Sequence, residues 1–413
     1  MSKEPLKKVL YVVSRFPSLT TTFTAYEMST IQQAGVDVHV ATVWPPEKDN
    51  EPQTVERQFI DKICDLRLSN PAIWLRSIQQ ILLNPQIFII IFLLFVGHLT
   101  SIYALLKLLV SLPKGLYLGY WVKKHGFQHI HAHFLSSPAT VALIASRISR
   151  VPYTVTIHAF DIFATAPSER NASIPLKCEK AAACIVISNF NLDYMRKTWP
   201  KIGGRFELIY NGIDIDLFAN DTNHVADPNE FHILSNGRLV YKKGHRFLIE
   251  AVAKLRNQNR NVKLQIIGGG PLESELHEIA SRLDIKEHVT FTGKMLQEEI
   301  IQQYRASDMF VLACAISPDG DMDGLPVVLV EALAMEIPTV STQVSGVPEI
   351  VQDTVTGLCV PPHDSQALAD AMAYLMDHPD EASKMAKAGR EIVTMQFNRH
   401  ESARMLLQLW QSL

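Results

Sequence analysis

The chain lacks the charge imbalance that binding a polyanion requires. Its 39 lysines and arginines stand against 42 aspartates and glutamates, leaving a net charge of −3 over 413 residues, too little to support nucleic-acid binding. Cysteine is also scarce. Cys64, Cys178, Cys184, Cys314 and Cys359 are scattered, odd in number, and show no CxxC or Cys/His spacing. That argues against a zinc site or a disulfide frame, and the five read as buried thiols in a reducing compartment. The opening MSKEPLKKVLYVVS has neither the apolar core nor the cleavage site of a signal peptide, so the expected location is cytoplasmic. No HExxH, GxSxG, kinase set, Walker loop or GxGxxG occurs, and DGDMDG at 319–324 lacks the remaining ligand spacing of an EF-hand. No metal or cofactor is expected.

One absence is local. From Ser77 to Leu106 there is no Asp, Glu, Lys or Arg, and after Pro85 the chain reads QIFIIIFLLFVGHLTSIYALL. Its length alone would suit a spanning helix. A single crossing would leave VLYVVS (9–14) and HIHAHF (129–134) on opposite sides of a membrane although both belong to one sheet. The remaining readings are a buried core helix or an apolar hairpin dipping into a lipid interface, flanked by Lys107, Lys114, Lys123 and Lys124.

What is present is alternation. Short β-type runs at 9–14, 36–43, 129–134, 153–158, 184–188 and 206–212 are separated by helical patterns, which is the mark of a parallel α/β domain. Periodicity fades over 213–230, and a second series follows: FHILSNGRL, VKLQIIGGG, VTFTG, MFVLAC, PTVST and GLCVPP. The expected organisation is an α/β chain of two Rossmann-like domains, 1–212 and 231–394, a linker over 213–230, and a terminal helix in 395–413 returning to the first domain. Two such domains imply a cleft, with ligands at the carboxyl ends of the strands.

The candidate residues cluster at those ends. Gly237-Arg238-Leu239 closes a strand, and Lys243-Gly244 opens the helix GHRFLIEAVAKL. Arg238 and Lys243 suit a diphosphate that gains charge as a bond to it breaks, although read alone they are equally a solvated surface pair. Asp323-Gly324-Leu325-Pro326-Val327 enters the helix VVLVEALAM with Pro326 at its first position. Its amides suit a phosphate, and Asp323 and Glu331 can accept hydrogen bonds from hydroxyls; calcium or plain solvation are the other readings of the Asp-rich loop. Glu331 inside VVLVEALA needs a partner. In the first half His158 falls at a strand end, where it could meet a substrate hydroxyl, while His131 and His133 read as core packing. Gly268-Gly269-Gly270 reads as a tight turn near the ligand.

Taken together these residues resemble family 4 of the retaining glycosyltransferases, of GT-B fold, from about residue 8 to the C-terminus. GRLVYKKG is similar to the family's diphosphate motif and implies Arg238 and Lys243 as its cationic pair, with Gly237 beside them. DGLPVVLVEALA resembles its Glu-x7-Glu motif: Glu331 matches the second glutamate, which the resemblance assigns to the ribose, and Asp323 replaces the first, assigned to the donor sugar. IYNGIDIDLF (209–218), GGGPLESEL (268–276) and SGVPEIV (345–351) match further, implying Gly270, Gly346 and Glu349 at the donor site along with Gly324, Leu325, Pro326 and Val327.

SRFPSLTTTF (14–23) and HAFDIF (158–163) resemble the bacterial exopolysaccharide branch, similar to colanic acid glycosyltransferases. That implies an acceptor side at Ser18, Thr20, Thr21, Thr22 and Asp161, with Thr20 and Thr21 where that branch carries Ser and Glu. The resemblance implies a retaining transferase using a nucleotide diphosphate-sugar. Its acceptor would be a lipid-linked or oligosaccharide glycan, and its place the cytoplasmic face of the inner membrane, in peripheral contact with it. The rivals are a nucleotide-sugar epimerase or hydrolase, or a catalytically silent binding scaffold; the motifs supply phosphate and hydroxyl contacts rather than the acid/base groups the first would need.

Overall fold

The structure, a computed structural model, describes residues 5–18, 22–46, 52–99, 101–163, 173–219 and 230–413. The chain divides into two units, Met1–Gly212 with Arg399–Leu413, and Ile213–Asn398. The second unit begins inside the expected linker. Ile213, Ile215 and Phe218 are buried in it, and Phe218 packs edge-on against Tyr304. Apolar side chains at alternate positions draw this stretch into a core rather than leaving it a tether; residues 220–229 lie outside the described residues.

The first unit holds a seven-stranded sheet in the order β3-β2-β1-β4-β5-β6-β7. The strands are β1 (Lys8–Val13), β2 (Asp37–Thr42), β3 (Ile63–Cys64), β4 (His129–His133), β5 (Tyr153–Ile157), β6 (Ala183–Val186) and β7 (Phe206–Leu208). The second holds a six-stranded sheet in the order β10-β9-β8-β11-β12-β13. Its strands are β8 (Phe231–Asn236), β9 (Val262–Ile267), β10 (Val289–Gly293), β11 (Met309–Leu312), β12 (Thr339–Thr342) and β13 (Leu358–Val360). Every pairing is parallel. This is why the central strands are apolar along their whole length, as in KVLYVV and MFVL: helices cover both faces and neither face meets water. Each sheet reverses direction of growth once, at β1/β4 and at β8/β11, and these switch points are where open α/β sheets bind ligands.

The terminal helix Arg399–Ser412 belongs to the first unit. Trp410 anchors it. Its ring lies 4.9 Å from that of His129 and 5.1 Å from that of His131, and its Nε1–H donates to Thr154 Oγ1 at 3.0 Å.

The charge-free stretch forms three helices, Pro71–Leu83, Ile87–His98 and Ile102–Lys124, the first two bent by 113° at their junction. The last is long and apolar enough to cross a membrane by length and composition, yet half of its apolar window is buried. Its C-terminal part lies tight on the Ser137–Ser149 helix: a Cβ at Gly115 would meet Ile144 Cβ at 2.8 Å, and one at Gly119 would meet Ile148 Cβ at 2.5 Å. Since β1 and β4 pair through Val9 and His129, a single crossing between them is impossible. The buried-core reading is corrected for the Ile87–His98 helix. It buries Ile87, Ile90, Leu94 and His98 along one face and turns Phe88, Ile89, Phe92, Leu93, Phe95 and Val96 outward, Phe92 being 64% exposed. Leu82, Leu83, Leu99, Ile102, Leu106 and Leu109 extend the same apolar surface over the neighbouring helices, far more than a scatter of single exposed residues.

Candidate functional site

At the β8/β11 switch point β8 leads into Gly237-Arg238-Leu239 and a single turn at Tyr241–Lys243, from which the helix His245–Asn257 starts. Gly244 makes this turn possible. Its φ is +65°, and a Cβ there would lie 1.7 Å from the Ala313 carbonyl oxygen just beyond β11. Gly237 is bare for a related reason: a Cβ would press on Lys243 Cδ at 3.1 Å, so the lysine stem lies along the glycine. The Gly268-Gly269-Gly270 turn buttresses the loop from behind. Gly268 has φ +132° with Gly237 O in its Cβ direction, and a Cβ on Gly270 would meet Leu239 O at 2.5 Å. Leu239 N donates to Gly269 O at 3.1 Å. Gly270 therefore shapes the site by close packing against Leu239.

Lys243 Nζ lies 2.7 Å from Asp323 Oδ2, and both side chains are mostly buried. Lys242, which the sequence reading passed over, reaches Asp321 at 3.0 Å and Asp323 Oδ1 at 3.8 Å. Burial works against ionisation of Asp323, but Lys243 and Lys242 outweigh it and hold its carboxyl below the usual range. Burial likewise opposes the Lys243 charge, and Asp323 reverses the balance upward. Lys243 and Asp323 thus form one ion pair. Arg238 is exposed, and near enough to Lys243 for their charges to repel.

Asp323 leads to Gly324, whose carbonyl accepts from Gly346 N at 3.0 Å and Ser345 Oγ at 3.2 Å. This joins the 323–327 loop to the turn preceding Val347–Ile350, on which Glu349 sits. Leu325 is buried, Pro326 caps the helix, and Val327 begins it, so the helix Val327–Ala334 starts one residue later than expected. Glu331, one turn in, has its partner: Tyr304 Oη donates to Glu331 Oε2 at 3.1 Å and lies 3.2 Å from Val328 O. Burial pushes the Glu331 carboxyl up to about 7, with the Tyr304 hydrogen bond and Lys243 pulling against it.

The first unit's switch point gathers histidines around one carboxylate. His133 Nε2 lies 3.1 Å from Glu27 Oε1, which also accepts from Tyr11 Oη at 2.8 Å. His133 Nδ1 lies 3.1 Å from His158 Nε2. His158 is stacked on His133 and flanked by Phe134 and Phe23. Burial, then His133, holds its pKa well below the ordinary 6.5. His131, wholly buried between Thr154 (2.8 Å) and Thr156 (3.1 Å), fits the core reading. His133 is as fully buried and fits it too, while linking His158 to Glu27.

Asp161 is also corrected. Its Oδ2 accepts from the His158 backbone N–H at 3.0 Å and it is buried, with its carboxyl pushed up to about 6 by that burial. It holds the turn instead of facing an acceptor. Ser18 N donates to Glu56 Oε1 at 2.8 Å. Thr20 and Thr21 lie outside the described residues, and Thr22 opens the helix Thr22–Gln33, its side chain likewise outside them. Glu27, His131 and His133 bring potential ligand atoms within 4.8 Å of one another, a grouping invisible in sequence because Glu27 and His133 are 106 residues apart.

Comparison with known proteins covers both units. The sequence model of Glycosyltransferase Family 4 matches residues 21–217, and that of Glycosyl transferases group 1 matches residues 218–392. Among curated proteins, the amylovoran biosynthesis glycosyltransferase AmsK of Erwinia amylovora is 36% identical over 44% of this chain and 44% of its own length. The putative colanic acid biosynthesis glycosyltransferase WcaL of Escherichia coli K12 is 35% identical over 49% and 50%. A GDP-mannose-dependent phosphatidylinositol monomannoside mannosyltransferase of Mycobacterium tuberculosis is 34% identical over 46% and 52%. The chain thus spans about half the length of the curated relatives it matches. Among solved structures, a glycosyltransferase of Rickettsia africae superposes with a TM-score of 0.70 at 17% identity over 98% of both chains. Anabaena HepE in complex with UDP gives 0.69 at 19% over 98% of this chain and 100% of its own.

Proposed function

The chain belongs to glycosyltransferase family 4, and from that premise we propose that it is a retaining transferase moving a sugar from a nucleotide diphosphate-sugar to a glycan acceptor. The observation that carries this reading is the charged cluster at the β8/β11 switch point, where Arg238, Lys243 and Lys242 surround the loop that presents Asp323. Lys243 is preorganised by Asp323, with its stem laid along Gly237. A diphosphate entering beside Arg238 would share the Lys243 charge with Asp323. Negative charge grows on the diphosphate as the anomeric bond breaks, and fixed cations stabilise that change without reorganising.

The free N–H groups at the start of the Val327–Ala334 helix add a further anion-binding end. Asp323 and Glu331 would accept hydrogen bonds from the donor's sugar and ribose hydroxyls, and His158 would meet a substrate hydroxyl. The acceptor hydroxyl would attack on the face the diphosphate leaves, so that positioning and charge stabilisation supply most of the rate. These cations fill the place of a metal, so none is required in this reading.

A uridine diphosphate-sugar is the first donor to test, because HepE is described bound to UDP, and GDP-mannose is the second, for which the mycobacterial relative is named. The experiment incubates the full chain with a panel of nucleotide-sugars and membrane-extracted lipid-linked glycans, reading nucleoside diphosphate release and product mass. Acceptor-dependent release from one donor, lost in Arg238→Ala and Lys243→Ala, is expected. Release without acceptor would make the protein a hydrolase, and binding without turnover a scaffold.

The acceptor is proposed to be lipid-linked, met at the cytoplasmic face of the inner membrane. Support comes from the outward-facing apolar surface of residues 74–109. It has no acidic residue between Ser77 and Leu106, and Arg76 and Lys107 flank that stretch in sequence, a composition suited to anionic lipid headgroups around an apolar insertion. Fractionation showing the protein wholly in the soluble pool in cells that make its acceptor would remove this part of the reading.

A further inference from the structure

We infer that Lys242 is a positioning residue that closes the 315–323 loop at its neck and so holds Asp323 beside Lys243, without itself touching the ligand. The clamp is read from the second unit alone; only the purpose of the loop rests on the proposed function. The loop leaves the core just after β11, where Ala313, Cys314 and Ala315 are wholly buried. It then runs over the surface, Ile316 being 40% exposed. Its tip is a closed turn: Gly320, at φ +84°, donates through its N–H to Ser317 O at 2.8 Å, and Ser317 N–H donates to Asp321 O at 2.8 Å. Such a turn keeps its own shape, but its placement over the sheet depends on what grips the chain at its base. Lys242 grips both ends. Its carbonyl accepts from Ala315 N–H at 2.9 Å where the loop begins, and its Nζ lies 3.0 Å from Asp321 Oδ2 and 3.1 Å from Oδ1 where the loop returns.

The neighbouring lysines therefore divide the work. Tyr241–Lys243 is a single tight turn, from which successive side chains leave about 120° apart. Lys243 goes to Asp323 at 2.7 Å, while Lys242 takes both oxygens of Asp321 and stays 3.8 Å from Asp323. The Lys242 side chain is 7% exposed and that of Asp321 25%, so the cation is the inner member of the pair and the loop carries the outer. An incoming diphosphate would have to displace Asp321 to reach Lys242, leaving a carboxylate without its counter-ion. The same contact fixes the approach of the chain to Asp323, and misplacing a group at a reacting centre by about 1 Å is enough to cost a factor of about a hundred.

The test pairs Lys242→Met with Asp321→Ala, singly and together. Hydrogen exchange of the 315–321 amides in the full chain, read by mass spectrometry with no ligand present, should quicken alike in both single variants. It should quicken no further in the double, since either change opens the same clamp. Transfer should fall about tenfold or more in each, again without addition in the double, while the Kd for UDP stays within about twofold of wild type. A lysine that instead bound the diphosphate would separate the two variants: Asp321→Ala would free the cation and tighten UDP, and Lys242→Met would weaken it by about tenfold. That result, or exchange unchanged in either single variant, overturns the inference. Lys242→Gln, whose amide can still donate to Asp321, replaces Lys242→Met if that variant does not fold, and should show the same changes at smaller amplitude. If the exchange pattern is as stated but the wild type transfers no sugar from any donor, the clamp stands and the proposed function fails.

Discussion

The two sheets reverse at equivalent points, β1/β4 and β8/β11, yet they hold opposite kinds of chemistry there. Around β8/β11 the polar groups are charged and compensate one another: Lys243 and Lys242 hold the Asp323 carboxyl below its usual range against burial. Around β1/β4 burial keeps three histidines neutral, His129 down to about 3 and His131 and His158 well below 6.5. A paired charge can be redirected toward an incoming anion at little desolvation cost, because the group is already ionised inside the protein. Buried neutral rings carry no charge to offer an anion and meet uncharged groups instead.

The strongest way to break the comparison is Lys243→Ala. It removes the cation from the diphosphate and leaves Asp323 poorly compensated, so transfer should fall by about a hundredfold or more and the second unit should lose up to about 3 kcal/mol, scaled down because both side chains keep some exposure. Asp323→Asn in the same background should restore most of the stability and none of the rate; recovery of rate would mean that Lys243 serves only to neutralise Asp323. Trp410→Ala is the corresponding test of the first unit. It takes away the ring that covers His129 and His131 and the donor to Thr154, at a cost of about 3–5 kcal/mol in urea unfolding. UDP binding to the native protein should be unchanged, and a matching loss of nucleotide affinity would show that the two switch points do not act separately.

Strands such as β1 and β11 were legible because parallel strands buried on both faces are written as near-continuous apolar runs. Only Ile63–Cys64, two residues long, escaped. The loop proposed for phosphate was legible too, since Gly237, Lys243 and Gly244 are close in sequence and the backbone alone brings them together. What was not legible was pairing. Glu331 takes its partner from Tyr304, 27 residues upstream on another helix, and Lys243 turns toward Asp323, so two expected ligand contacts are first of all contacts with each other. His133 is core by its burial, yet a buried histidine in a strand gives no sign in sequence of what faces it. The apolar stretch shows the same limit. Its composition allowed a core helix or an interfacial one, and only the packing of Ile90 and Leu94 inward and Phe92 outward decides which face meets solvent.

That outward face gives a smaller and separable effect. Phe92→Ser should leave unfolding within about 0.5 kcal/mol of wild type, as for an exposed site, while lowering association with anionic phospholipid vesicles about tenfold, the loss of one inserted aromatic side chain. A stability loss without a change in vesicle association would return the Ile87–His98 helix to the core reading.

The pH dependence of stability sharpens the comparison to its finest point, because the two switch points should respond with opposite sign. His129, His131 and His158 have folded-state pKa values below the unfolded 6.5, so the unfolded chain binds more protons as pH falls from 6.5, and the first unit loses stability toward acid. Glu331 behaves in reverse. Its carboxyl rises from 4.5 to about 7 in the folded protein, so the folded state holds the extra proton between those values, and stability is lost as pH rises through that window. Glu331→Gln, which keeps an oxygen to accept from Tyr304, should abolish that loss. The difference between the wild-type and variant urea midpoints of the second unit's transition, measured at intervals from pH 4.5 to 7.5, should then shrink as pH rises, while His245, held down to about 3 by burial, adds an opposite slope common to both. The first unit's midpoints should rise with pH in both. If the second unit's curve is the same in both proteins, burial does not hold the Glu331 proton, and its carboxylate is already ionised before any ribose reaches it.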